Sequence, residues 1–215
     1  TMEPMENYGV QVMSIGFLSL MAMNVAFENA GNPALQEMGA NISLGNMEGK
    51  EIRFGSSASA YWSVATTVIS TGSVNSMHDS YMPLSGMNML LAMMINCFYG
   101  GVGVGILNYL VFIILAVFIS GLMVGRTPEF LGKKIEAKEM KIAMVIALLH
   151  PLLILAGTAL TAYQPQFGTA TLNNPSFHGF SEMLYEFTSA SANNGSGFEG
   201  LGDNTPWWNI STGIV

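Results

Sequence analysis

The chain has 215 residues, half of them hydrophobic and only 10% charged, with 17 methionines and a mean hydropathy of +0.42. A soluble globular domain carries roughly 25% charged residues, so these charges are too few to clothe a water-facing surface, and the composition points to a polytopic membrane protein. The net charge of −7 argues against nucleic acid as a partner, and a single cysteine, Cys97, excludes an intrachain disulfide.

Tyr8 to Phe27 carries no charge and is long enough, at ~1.5 Å per residue, to cross a hydrocarbon core ~30 Å thick. Gln11, Ser14 and Asn24 make it polar for a lipid-facing span, so an amphipathic helix against a surface or neighbours is the alternative; Glu3 and Glu6, not lysines, precede it. Glu28 to Gly55, with Asn32-Pro33, Gly45-Asn46 and Glu48-Gly49-Lys50-Glu51, has the turn dipeptides and mixed charges of a water-exposed loop. Ser56 to Ile69 is apolar but too short to span, a length typical of re-entrant or core helices. It runs into a small, hydroxyl-rich turn centred on Gly72 and then into His78-Asp79.

No residue between Asp79 and Arg126 is charged. An unbroken helix over Pro83 to Gly125 would be about 60 Å long, twice the hydrocarbon thickness. Glycine weakens a helix by ~1 kcal/mol relative to alanine, so Gly100-Gly101-Val102-Gly103-Val104-Gly105 is the expected breaker, leaving Leu84–Tyr99 and Ile106–Met123 as helical pieces. Hydropathy leaves open whether these are two crossings joined by a hairpin or one path interrupted inside the membrane. Arg126, Lys133, Lys134, Lys138 and Lys141 fall in one short loop, which the positive-inside rule makes cytoplasmic; Thr127-Pro128 is expected to start a short helix there.

Ile142 to Tyr163, interrupted by His150-Pro151, is the clearest span and exits on the outer side. Gln164 to Gly179 follows as an outer loop, Phe180 to Ser191 as a second short helix, and Ala192 to Gly197 as a second glycine turn. Trp207-Trp208 sits where an interfacial aromatic anchor belongs. A new apolar segment begins at Ile214-Val215, so the chain reads as a piece of a longer protein.

The two glycine turns are an internal repeat. Aligning Gly195 on Gly72 places Ser196 on Ser73, Ser189 on Thr66 and Tyr185 on Trp62, with Asn193-Asn194 against Ser70-Thr71. Irregular backbone survives at membrane depth only when buried in protein or lining a watery path. A short helix stopping there aims roughly half a negative charge at the turn, and clustered carbonyl oxygens can replace the hydration shell of a cation. Ser70, Thr71, Ser73 and Asn75 can support such a cage.

Several long stretches resemble one family: Thr71-Gly72-Ser73-Val74-Asn75-Ser76-Met77-His78-Asp79-Ser80, Gly100-Gly101-Val102-Gly103, the segment from Gly121 through Arg126-Thr127-Pro128 to Ile135, and Ala192-Asn193-Asn194-Gly195-Ser196. They look like the potassium-binding subunit of the bacterial Kdp potassium-transporting ATPase. The resemblance covers most of the chain from about Gly31. It implies an all-α polytopic membrane protein with four helix–pore helix–filter–helix repeats of the potassium-channel-like transporter superfamily.

In that scheme residues 1–125 are the third repeat, with span 8–27, outer loop 28–55, pore helix 56–69, filter 70–76 and a broken second helix 84–125. Residues 126–141 are the cytoplasmic loop, and 142–215 a truncated fourth repeat with span 142–163, outer loop 164–179, pore helix 180–191 and filter 192–197. The resemblance further implies K⁺ held by Ser70, Thr71, Gly72, Ser73, Asn193, Asn194, Gly195 and Ser196, and a gate loop at Gly100, Gly101, Gly103 and Gly105 that favours the single broken path. The implied partners are an ATP-hydrolysing P-type subunit, small accessory subunits and lipid of the bacterial inner membrane, with K⁺ as the transported ion. Asn96 departs from relatives that carry an acidic residue near that position.

Other readings attach to single features. The Gly101-x-Gly103-x-Gly105 spacing lacks the strand–turn–helix context and downstream acid of a nucleotide loop. His78-Asp79 has no third ligand at useful sequence spacing, which favours a capping and hydrogen-bonding role at the outer end of the next helix over half a metal site or a catalytic pair. His150 reads as a packed histidine beside a proline kink rather than a proton relay. Glu182 and Glu186, one helical turn apart, either concentrate cations at the outer mouth or are ordinary interfacial charges. Lys133-Lys134 is a solvated face or a dock for a partner or anionic lipid. No Walker A loop or aspartyl-phosphate motif occurs, so the chain is expected to be a non-catalytic pump subunit. The alternatives are a gradient-driven Trk/Ktr-type potassium transporter, or an intramembrane enzyme or structural protein; the last has only His150 and Cys97 as ionisable groups within the spans.

Overall fold

The computed structural model describes residues 3–101 and 103–215, with side chains described from Tyr8 onward. Thr1, Met2, the Glu3 and Glu6 side chains, and Val102 of the glycine run lie outside the described residues.

The first helix, α1, runs from Glu3 to Asn29, and a short α2, Pro33–Glu37, is capped by the Asn32 side chain inside the segment expected to be all loop. The re-entrant α3 spans Gly55–Ile69 and stops at Ser70, which takes a left-handed conformation. A 3₁₀ turn at His78–Ser80 leads to α4, Pro83–Ile95, with proline at its first turn, where a missing N–H costs nothing. The break in the long apolar path comes earlier than the glycine run: α4 ends at left-handed Asn96, not at Tyr99. Its continuation, α5, spans Val104–Val124 and therefore takes Gly105 into its first turn.

The basic segment differs from its expectation in two ways. Glu129–Phe130 (β1) pairs antiparallel with Lys133–Lys134 (β2), where a short helix was expected after Thr127-Pro128. Leu131 and Gly132 both have positive φ, the backbone of a tight two-residue hairpin turn. The second long helix, α6, begins at Ala137 rather than Ile142. Glu136 and Glu139 form a reciprocal capping box, which satisfies the first N–H groups and puts Lys138 and Lys141 on the helix.

The second re-entrant helix, α7, spans Phe177–Ser191, starting three residues before its expected Phe180, and α8 spans Pro206–Ile214 behind the Thr205 cap. Trp208 is buried against Phe187 and donates to Thr171 Oγ1 at 3.1 Å. Trp207 stacks on Phe167 and donates to Thr161 Oγ1 at 2.9 Å. Both indoles thus fasten α8 to α6 and its following loop.

Among the described residues, three helices are long and apolar enough to cross a membrane: α1 with its extension, α5 and α6. Beside an apolar core that includes Met89, Met93, Tyr185 and Phe187, the packing departs from that of a water-soluble protein. Leu148, Leu152 and Leu155 of α6 and Ile106 and Leu107 of α5 are exposed, while Asn24, Ser59, Ser63, Thr66, Thr67, Ser85 and Asn88 are buried. Small polar residues let helices approach closely where lipid supplies no hydrophobic drive. Asn24 of α1 accordingly donates to the Ala60 carbonyl and Ser63 Oγ of α3. α1 packs along α3 and α4, α6 along α7, and α4 meets α7, which brings the two re-entrant helices to one place.

The segment after α1 is fastened by one buried ion pair. Glu28 Oε2 lies 2.8 Å from Lys50 Nζ with both side chains inaccessible, and Lys50 sits over the Tyr81 ring. Glu28 also accepts from Asn46 Nδ2 at 2.9 Å and from the Met82 N–H at 2.8 Å. Burial pulls the Lys50 ammonium below its ordinary range against the opposing pull of Glu28. Through this carboxylate the loop, the end of α1 and the start of α4 are held together.

Candidate functional site: two facing glycine turns

Both glycine turns are built on the same backbone plan. Ser70 and Gly72 have φ of 57° and 67°; their counterparts Asn193 and Gly195 have φ of 53° and 91°. The Thr71 N–H donates to the Thr66 carbonyl at 3.2 Å, and the Asn194 N–H to the Ser189 carbonyl at 2.9 Å, closing the C-terminal end of each re-entrant helix. Each helix also supplies a side chain to its turn: Thr66 Oγ1 meets Thr71 Oγ1, and Ser189 Oγ accepts from the Gly195 N–H.

The aligned aromatics do the same work in both halves. Trp62 Nε1–H donates to the Ser73 carbonyl at 2.8 Å, and the Tyr185 hydroxyl lies 3.0 Å from Ser196 Oγ. The proton positions in the second half follow from the acceptors. Ser196 Oγ–H donates to Asn194 Oδ1 at 2.6 Å, so its oxygen accepts from Tyr185. With the Tyr185 proton so used, His78 Nδ1–H donates to the phenol at 3.1 Å. Burial pushes the His78 imidazole down to about 4, so it stands neutral in this chain of bonds. Sequence spacing did not reveal the buried His78 link, since its partner lies more than a hundred residues away.

The two turns are in contact. Asn194 Nδ2 donates to the Thr66 carbonyl at 2.7 Å, capping the end of α3 from the other repeat. A Cβ on Gly72 would lie 2.3 Å from the Asn194 carbonyl oxygen, whereas one on Gly195 would meet nothing within 4 Å. Thr71, Ser73, Asn193 and Gly195 are exposed; Asn194 and Ser196 are buried, and Ser70 and Gly72 half-buried.

The interruption between α4 and α5 lies against this site. The Gly101 N–H donates to the Ile69 carbonyl at 2.9 Å, and a Cβ on Gly100 would come within 3.1 Å of Ser70 Oγ and the Val68 carbonyl. Gly103 is left-handed and faces open space. Gly105 behaves differently: a Cβ there would lie 2.0 Å from the Phe98 carbonyl oxygen, so it is a close-packing position of α5. Asn96 has its carbonyl held by Asn108 Nδ2 at 2.7 Å. His150 ties the same region together, donating from Nε2 to the Met93 carbonyl and accepting at Nδ1 from Ser191.

Glu182 is fully buried, not at an open mouth, and burial raises its carboxyl above the usual range. Asp79, which lacked a third ligand by spacing, receives His178 Nε2 at 2.7 Å on Oδ1.

These features define an all-α membrane protein assembled from repeated units, each a long helix followed by a re-entrant helix and a glycine turn. The chain belongs to the potassium-transporting ATPase A subunit family, KdpA, whose sequence profile matches residues 8–215. It is 67% identical over 95% of its length to the potassium-transporting ATPase potassium-binding subunit of Flavobacterium johnsoniae, and 63% identical over 97% to that of Phocaeicola vulgatus. It is 57% identical over 95% to potassium-binding subunit 2 of Staphylococcus aureus. The chain spans about 38% of the length of the first two relatives and 36% of the third.

Proposed function

We propose that this chain is the third and most of the fourth repeat of a potassium-selective binding and translocation subunit of an ATP-driven uptake pump in the bacterial inner membrane. External K⁺ is held by carbonyl and hydroxyl oxygens of Ser70–Ser73 and Asn193–Ser196. The observation that carries this is the shared φ pattern of the two turns and their contact at Gly72 and Asn194. Alternating left-handed residues rotate successive carbonyls toward one axis, and the C-terminal ends of α3 and α7 add negative potential there.

Gly100, Gly101, Gly103 and Gly105 serve as a gate that obstructs onward passage and leaves a sideways path to a separate P-type ATPase subunit; the contacts of Gly100 and Gly101 with the end of α3 support this reading. That subunit performs the hydrolysis; small accessory subunits complete the pump, and the exposed apolar faces of α5 and α6 meet lipid or partners. The hairpin and start of α6 face the cytoplasm, and the segments before α3 and α7 face outside.

The full-length protein is tested in cells that depend on it for potassium uptake. Gly72→Asp abolishes growth at micromolar potassium and spares growth at millimolar potassium. Unchanged growth at both concentrations would remove Gly72 from the filter.

A further inference from the structure

Away from the glycine turns, Asp79, His178 and Glu182 place one carboxylate oxygen, one imidazole nitrogen and a second carboxylate oxygen within 4.8 Å of one another. Asp79 comes from the 3₁₀ turn of the first repeat, and His178 and Glu182 lie one turn apart on the same face of α7. Asn174 Nδ2 bridges Asp79 Oδ2 at 3.0 Å and Glu182 Oε1 at 3.1 Å, presenting the carboxylates side by side.

Two further observations ask for a cation there. Glu182 is 0% exposed, and its Oε2 has no hydrogen-bond partner among the described residues. Buried carboxylate oxygens without partners are costly, and a coordinated ion removes that cost. Gly200 closes over the pair: a Cβ there would lie 2.5 Å from Asp79 Oδ2 and 2.8 Å from Glu182 Oε1, so only glycine leaves the oxygens their room. A pocket of about 530 Å³ opens onto Asp79, Asn174 and His178, with Glu48 also on its wall and neither lysine nor arginine among its lining residues. Glu199 adds a third carboxylate, accepting from the Asp79 N–H at 3.2 Å.

We propose that Asp79, His178 and Glu182 form a Zn²⁺ site that clamps the turn after the first glycine loop to the re-entrant helix of the second repeat. One imidazole and two carboxylates suit zinc better than magnesium or calcium, which prefer all-oxygen shells. Zinc bonds to imidazole nitrogen and carboxylate oxygen are ~2.0–2.2 Å long, so the ion replaces the His178–Asp79 hydrogen bond, and water from the pocket fills the remaining position. The site joins the turn after the first glycine loop to the start of α7 and is chemically distinct from an oxygen cage for K⁺.

The test uses the purified full-length protein stripped with chelator and titrated with Co²⁺ as a spectroscopic stand-in for Zn²⁺. The expected result is one equivalent of Co²⁺ with visible d–d bands, displaced by Zn²⁺, and a Zn²⁺-dependent rise in melting temperature. His178→Gln, at an exposed position, keeps the fold and loses the bands and the rise; Glu182→Gln weakens binding at least tenfold. Absence of saturable Co²⁺ binding to wild type overturns the proposal without any variant, and so does a spectrum that His178→Gln leaves unchanged.

Discussion

Gly72 and Asn194 touch across the two repeats: a Cβ on Gly72 would lie 2.3 Å from the Asn194 carbonyl oxygen, while the Asn194 amide holds the Thr66 carbonyl at the end of α3. Each turn therefore supports the other, and neither glycine is interchangeable with its counterpart.

That asymmetry predicts different outcomes for matched substitutions. Gly72→Ala meets both a left-handed φ, costing ~1–2 kcal/mol, and a backbone collision. Gly195→Ala meets only the strain, because its Cβ points into open space. In the full-length protein, Gly72→Ala is expected to lower the melting temperature clearly more than Gly195→Ala. Equal shifts in the two variants would mean that the turns do not abut.

Tyr185→Phe keeps the stacking on Phe198, whose ring centroid lies 4.1 Å away, and removes the hydroxyl between His78 and Ser196. Leaving those buried groups without their partner costs ~1–3 kcal/mol. The expected result is a folded protein whose preference for potassium over sodium falls roughly tenfold, the equivalent of ~1.4 kcal/mol. Transport in competing sodium measures it, and wild-type discrimination would show that the bond chain only stabilises the fold.

Lys50→Met strands the Glu28 carboxylate in a site with no solvent access. Removing one member of such a pair costs ~3–5 kcal/mol, whereas replacing both is far milder. The double variant Glu28→Gln with Lys50→Met is therefore expected to melt above Lys50→Met alone. Additive losses in thermal unfolding would contradict the coupling.

Deleting Gly103 shortens the segment between α4 and α5 without touching Gly105, which packs on Phe98. Potassium binding is expected to persist while passive potassium flux through the reconstituted pump rises in the absence of ATP. Lost binding with unchanged passive flux would mean that the segment serves helix packing alone.

Much of this arrangement was legible in the residues because its signals are local. Helix length and charge revealed α1, α5 and α6, and the spacing of Trp62, Thr66, Gly72 and Ser73 recurs in Tyr185, Ser189, Gly195 and Ser196. The early start of α6 also had a local signal, the Glu136-x-x-Glu139 capping box, which the lysines around it obscured. The hairpin at Glu129–Lys134 had a weaker one, since it needs Leu131 at φ 52°, a conformation leucine seldom adopts. Asn96 ends α4 ahead of the glycines because asparagine tolerates the left-handed region. The meeting of Asp79 with His178 and Glu182 had no local signal, since it depends on how α4 meets α7.

The central claim is that the two turns form part of one cation site. Thallium, a heavy surrogate for potassium, can be located by its anomalous scattering in crystals of the full-length protein. The account predicts a peak bounded by the oxygens of Ser70–Ser73 on one side and Asn193–Ser196 on the other, weakened when potassium is added in excess. A potassium-competed peak that none of these oxygens coordinates would contradict it.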